Sequence, residues 1–208
     1  STQGFHFICG LDPAMVGDTA AICYAVDRAT HKRYIVDAIK ITGPTPAQIR
    51  ELMFSWTDEY KPSEWVVEKN AFQSFLTQDE GIRQYLATRG VLMKEHHTGS
   101  NKWDSGFGVA SMSTLFGTKQ SDGKHHRDNL IHLPSDQTEN VKALIEQLIT
   151  WSPSTKGKTD MVMALWFCEI RAREIITNGQ HNVHLMKNPF LSRSEQAKRI
   201  VVNLDDLF

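Results

Sequence analysis

Phe5-His6-Phe7-Ile8-Cys9-Gly10-Leu11 is a short aromatic and β-branched run closed by Asp12-Pro13, and proline cannot continue a central ladder. The pattern predicts a buried strand that delivers Asp12 at its C-terminal end. Two further strands are expected at about 19–27 and 33–41, with Asp27-Arg28-Ala29-Thr30-His31 as the turn between them, so the chain opens as a three-strand meander. Pro44-Thr45-Pro46 then starts a helix whose apolar positions Ile49, Leu52, Met53 and Trp56 recur at helical spacing until Lys61-Pro62 stops it. Glu64-Trp65-Val66-Val67-Glu68 reads as a fourth strand, again ending on a carboxylate. A second helix at about 71–88 closes at Arg89-Gly90, and Val91 to Glu95 reads as a fifth strand.

From Thr98 to Leu133 the pattern loosens, with glycines at 99, 106, 108, 117 and 123 and one short helix expected at about 107–116. Helical periodicity returns at Val141, Leu144, Ile145, Leu148 and Ile149 and is ended by Trp151-Ser152-Pro153. A long helix is expected from about 159 to 177, apolar nearly all round over Met161 to Cys168 and therefore buried between neighbours. Beyond Asn178-Gly179 the chain reads as a polar tail with one apolar patch, Ile200-Val201-Val202, and an acidic end, Asp205-Asp206. No internal repeat is visible. The expected organisation is one α/β domain over 1–178 and a tail over 179–208 that could dock a partner.

Composition narrows the function. A chain of 208 residues can bury roughly 70% of the surface it exposes when unfolded, so no metal or disulfide is needed merely to fold, and any metal would serve chemistry. Cys9, Cys23 and Cys168 lie too far apart for a disulfide framework or a Cys-rich zinc site, which fits a reducing compartment. The longest apolar run, Met161 to Cys168, is far short of the ~20 residues that span a bilayer, and no basic-then-apolar segment opens the chain. A soluble, non-secreted protein without a membrane partner is expected. The start, Ser1-Thr2-Gln3-Gly4, lacks a Met and suggests an excised domain. With 23 Lys+Arg against 24 Asp+Glu the chain has no bulk positive field, leaving only a local basic strip for nucleic acid. Lys94, Lys102, Lys119, Lys124 and Arg127, set among Glu95, Asp104, Asp122 and Asp128, form the expected polyanion contact, and five of the nine histidines fall in the same region.

Three carboxylates stand where a fold could aim them at one point: Asp12 and Glu68 at strand ends, and Asp160 opening the last long helix. If the first and fourth strands are neighbours, Asp12 and Glu68 lie side by side at roughly 4.8 Å, and such a pair ionises fully only beside cations of the Mg²⁺ type. Each residue also has an ordinary reading: Asp12 as a turn residue before proline, Glu68 as half of a salt bridge, Asp160 as a first-turn helix acid. Gly157-Lys158-Thr159 looks like the end of a P-loop, yet Ser152 stands where the motif needs glycine, so it cradles no nucleotide. His96, His97, His125 and His126 come in adjacent pairs that point to opposite faces of a strand, which suits DNA contact or plain exposure better than chelation. Trp103 is expected to pack under its loop rather than stack on a base.

Five segments in order carry a resemblance: Ile8-Cys9-Gly10-Leu11-Asp12-Pro13-Ala14 with Gly17-Asp18-Thr19-Ala20, Trp65-Val66-Val67-Glu68-Lys69-Asn70, His97-Thr98-Gly99-Ser100-Asn101-Lys102, Phe107-Gly108-Val109-Ala110-Ser111-Met112, and Lys156 through Trp166. Over residues 5–177 the chain resembles the nuclease domain of the large terminase subunit of tailed bacteriophages. The resemblance implies an α/β, RNase H-like fold: a central mixed sheet of five strands or more, the first three antiparallel, flanked by helices. It implies a DNA endonuclease of low sequence specificity that cuts concatemeric viral DNA during packaging, with two Mg²⁺ or Mn²⁺ ions. Asp12 would bridge both ions, Glu68 bind one and Asp160 the other, with Asp18 behind them as an acid that supports the ligands or shapes the turn. Lys102, Lys158, Lys94 and Lys124 would meet DNA. Implied partners are double-stranded DNA, a packaging ATPase domain whose motifs this chain lacks, the portal protein and the small terminase subunit, in the host cell cytoplasm. The other readings are a branched-DNA resolvase or RNA/DNA-hybrid nuclease on the same fold, or a non-catalytic module that docks to the portal or the ATPase.

Overall fold

The N-terminal meander forms as β1 (Phe5–Asp12), β2 (Asp18–Asp27) and β3 (Arg33–Thr42), antiparallel in sequence. This is a computed structural model that describes residues 4–14, 17–69, 79–116, 129–154 and 158–186. Helix α1 (Pro46–Tyr60) starts at Thr45, whose side chain accepts from the Gln48 amide while Gln48 reaches back to the Thr45 amide, a reciprocal cap that fixes the first turn. β4 (Glu64–Glu68), α2 (Glu80–Thr88) and β5 (Leu92–His96) follow. The start expected for the second helix, 71–78, lies outside the described residues, and Asp79 caps what is described by accepting from Ile82 N–H.

β5 leads through 3₁₀ turns at Ser100–Trp103 and Val109–Leu115 to a two-residue strand, β6 (Ile131–His132). The sequence pattern marks a helix at 107–116, but after Gly108 the segment takes the tighter turn. β6 escapes the pattern altogether because two residues carry no periodicity. Helices α3 (Glu139–Thr150) and α4 (Asp160–Met186) complete the order. Among the described residues no helix is long and apolar enough to cross a membrane.

The six strands lie in the order β5-β4-β1-β2-β3-β6, with β1, β4 and β5 mutually parallel and β6 parallel to β3. Alternation then divides the central strands between two faces. Cys9, Leu11, Ala21, Cys23, Trp65 and Val67 meet Ile49, Met53 and Trp56 of α1 and Ile82 and Leu86 of α2 in one core. The residues of opposite parity, Ile8, Gly10, Ile22 and Tyr24, face α4, where Cys168 Sγ stands 3.6 Å from the Ile22 carbonyl. Strands covered on both sides read as near-continuous apolar runs, as here.

Gly10 makes the crossing of α4 over β1 possible: a Cβ there would stand 2.2 Å from the Ala164 carbonyl oxygen and 2.7 Å from Cys168 Sγ. Helix backbone cannot swing aside as a side-chain tip can. Gly10→Ala should therefore destabilise the domain by about 1–3 kcal/mol through overpacking, a loss that urea denaturation would read; unchanged stability would show that α4 can lift off the sheet.

The chain divides into two units, 1–172 and 173–208. The sheet and every site residue described below belong to the first. Of the second, residues 173–186 are the last turns of α4, and the apolar patch at 200–202 lies outside the described residues.

Candidate active site

Register brings the strand-end carboxylates together. β1 and β4 pair in parallel through Leu11 and Val67, so one residue further on Asp12 and Glu68 are neighbours across the ladder. Glu68 in turn pairs with His96 of β5, Asp12 with Ala20 of β2, and Ala20 with Lys40 of β3. A single row across the sheet thus reads His96, Glu68, Asp12, Ala20, Lys40, all on the face covered by α4. A one-residue slip of these strands would put the same side chains under α1.

Asp12 and Glu68 share a side-chain hydrogen bond, and Asp12 is held well above the usual carboxylate range, first by burial and then by the charge of Glu68, with Asp160 adding to the repulsion and Lys102 relieving part of it. A cation between the two carboxyls would relieve the repulsion that raises Asp12. Asp160 is half-buried and also raised, chiefly by burial and by the charge of Asp18, against which Lys158 and Lys40 act. His96 is held below the ordinary histidine range by burial, with Glu68 pulling the other way.

The start of α4 is fixed by a residue that sequence reasoning missed. Gln147 Oε1 accepts from the amides of Met161 (3.0 Å) and Val162 (3.4 Å), satisfying two orphan donors of the first turn and tying α4 to α3. The available signal was a polar residue on the apolar face that Leu144 and Leu148 define. The anchor presents Asp160 at the positive end of the helix dipole, which favours anions there.

Asp18 opens β2 with its carboxylate fully covered. It accepts from Thr42 Oγ1 at 2.7 Å and from Lys158 Nζ at 2.6 Å, with Lys40 Nζ at 3.9 Å, and the Lys158 hydrogen bond is the first cause of its lowered pKa. Asp18 therefore positions two lysines beside Asp160. The site has two halves: Asp12 with Glu68 and Lys102, and Asp160 with Asp18, Lys158 and Lys40. Among the described residues no three His, Cys, Asp or Glu side chains form one metal-binding cluster, so Asp160 is near the Asp12–Glu68 pair without joining it.

Lys94, expected at the DNA, stands 3.4 Å from Oε2 of Glu64 at the other end of β4, a buried carboxylate that Arg171 also pairs. Lys124 lies outside the described residues, as do His125 and His126. His96, expected exposed, is half-buried and meets the Trp166 ring edge-on at 5.0 Å. Trp103 packs on Trp151 with ring centroids 6.1 Å apart, and Lys102 Nζ lies 4.8 Å over its ring.

The fold has counterparts among solved structures. The large terminase nuclease of the thermophilic phage G20c, with bound zinc, superposes with a TM-score of 0.51 at 15% identity, covering 78% of this chain and 79% of that one. The chain shares its fold with terminase nuclease domains. The human cytomegalovirus terminase nuclease domain, Mn soaked, gives 0.51 at 10% identity over 85% of this chain and 87% of that one. The large terminase of a second thermophilic bacteriophage gives 0.51 at 10% identity over 78% of this chain, which spans only 38% of that protein. The fold is RNase H-like, with the sheet of five strands or more, antiparallel at its start, that the sequence implies. No protein-family model and no curated protein sequence matches the chain.

Proposed function

We propose that the chain is a divalent-metal-dependent endonuclease that cuts double-stranded DNA, acting as the nuclease of a viral genome-packaging terminase in the host cytoplasm. The observation that carries this reading is the Asp12–Glu68 pair: two part-buried carboxyls at the ends of adjacent parallel strands, of which Asp12 is held above its ordinary range by burial and by the charge of Glu68, a repulsion that a cation would relieve. Their donor chemistry fits a hard ion, since Mg²⁺ and Mn²⁺ take carboxylate oxygens. Asp12 and Glu68 would hold one ion, and Asp12 with Asp160 a second. Bound metal supplies an activated water and neutralises charge on the phosphodiester, the product ends being a 3′-hydroxyl and a 5′-phosphate.

The protein's own groups do the rest. Lys102, beside Asp12, and Lys158, held by Asp18, would meet phosphates as point charges, which positions DNA without reading its sequence. The start of α4 adds its dipole to that attraction. Low sequence preference means that partners must choose the cut, and a packaging ATPase, a portal and a small terminase subunit would fill that role.

Supercoiled plasmid incubated with the protein in EDTA, Mg²⁺ or Mn²⁺ tests the reading. Cutting should require the metal and disappear in Asp160→Asn with the fold intact by circular dichroism. Cutting in EDTA, or by Asp160→Asn at the wild-type rate, would sink it.

A further inference from the structure

The loop after β5 presents an apolar ring that folding does not use. Phe107 is 72% exposed, yet its backbone is tied down on every side. Asp104 Oδ1 accepts from the amides of Gly106 and Phe107, both at 2.8 Å, and Gly108 N–H donates to the Asp104 carbonyl at 2.8 Å. A Cβ on Gly108 would stand 2.4 Å from that carbonyl and 2.5 Å from the carbonyl of Lys102, so only glycine lets the loop fold back on itself. Trp166 Nε1 donates to the Phe107 carbonyl at 2.9 Å and fastens the loop to α4. The neighbouring apolar cavity of about 470 Å³ is lined by Val109, Met112, Trp151 and Val162 and leaves Phe107 outside.

The same loop rims the proposed cleavage site. Trp166 lies six residues along α4 from Asp160, about 9 Å of helix rise. His96 bridges the Trp166 ring and the Glu68 charge, and Asn101 of this loop reaches His96 Nε2 at 3.4 Å. Lys102, five residues before Phe107, acts on Asp12 and lies over the Trp103 ring. A fixed, exposed aromatic ring on a loop that also carries Lys102 suits a polyanion with flat apolar faces.

We infer that Phe107 is a wedge that enters the base stack of DNA held at the Asp12–Glu68 site, so that the substrate is a duplex opened locally beside the cut. This rests on the nuclease reading above. Side chains of this kind unstack a base step and are repaid by base–aromatic contact.

The test compares two duplexes of one sequence, fully paired or carrying a short mismatched bubble near the cut, each with 2-aminopurine at the opened step. Phe107→Ser should slow cleavage of the paired duplex roughly 10- to 100-fold, the loss of one stacking contact, and cleave the bubbled duplex at the wild-type rate. Equal slowing on both would mean general damage to the loop and would overturn the wedge, as would no slowing on the paired duplex. If the wild-type protein cuts neither, the nuclease reading fails. The wedge is then decided by fluorescence of bound, uncut paired DNA in Ca²⁺: a rise with wild type that is missing with Phe107→Ser upholds it, and an absent or equal rise overturns it.

Discussion

Asp12→Asn will abolish metal-dependent cleavage while making the metal-free protein more stable at neutral pH. The two effects share one cause. The Asp12 carboxyl is raised well above its ordinary value by burial and by Glu68, so the folded state holds its proton more tightly than the unfolded chain does. That preference stabilises the fold fully below the ordinary carboxyl pKa of about 3.9. It is lost as pH rises through the raised native value, above which the buried pair is a net cost. An amide removes the cost and the ligand together. Wild type should therefore gain stability on acidification from neutral pH more steeply than Asp12→Asn, as read by melting temperature across pH in EDTA.

Metal should reverse the ranking. An ion present at about 100 times its Kd stabilises by about 2.7 kcal/mol, or about 5–10 °C in a chain of this size. Mg²⁺ should give that shift to the wild type and none to Asp12→Asn. Cleavage should fall by on the order of 10³-fold or more, since metal stabilisation of the transition state amounts to several kcal/mol. A metal-induced shift that survives in Asp12→Asn would place the ion elsewhere.

Arg33→Ala will cost the fold more than most core truncations, although it removes no apolar contact. Arg33 donates through Nε and Nη2 to Glu169 at 3.2 and 3.0 Å, and Tyr24 O–H donates to the same carboxylate at 3.0 Å. Glu169 is 0% exposed and Arg33 6%. Removing the cation takes the charge-assisted pairing from a buried carboxylate, which costs about 3–5 kcal/mol, whereas replacing both partners by apolar or neutral groups of similar volume can be near neutral. Arg33→Ala should show that loss in urea denaturation, and Arg33→Met combined with Glu169→Gln should recover most of it. An equal loss in single and double variants would mean that packing, not the lost pairing, sets the cost.

Much of the scaffold was legible along the chain. Asp12-Pro13 and Lys61-Pro62 are stops imposed by a ring that has no N–H, and Ile49, Leu52, Met53 and Trp56 mark α1 by spacing alone. β6 and the 3₁₀ turn at Val109–Leu115 were not legible, because two residues have no period and a helical run between glycines looks the same at three or 3.6 residues per turn. Lys94 shows a further limit. Its place in a basic strip suggested DNA, and only the structure showed that it also approaches the buried Glu64 carboxylate.

The sequence by itself determined that carboxylates close two strands and open a helix, that three strands precede the first helix, and that the segment from Met161 to Cys168 is buried all round, since each follows from local sterics or periodicity. Only the tertiary structure decided that Asp12 and Glu68 share one row, because strand order and register depend on partners far away in the chain. It also decided that Gln147 holds the start of α4, that Gly10 lets this helix close on the sheet, and that Asp18 collects Lys158 and Lys40. The Asp18–Lys158 contact joins residues 140 positions apart, a separation over which no local preference acts and only the packed core selects the pairing.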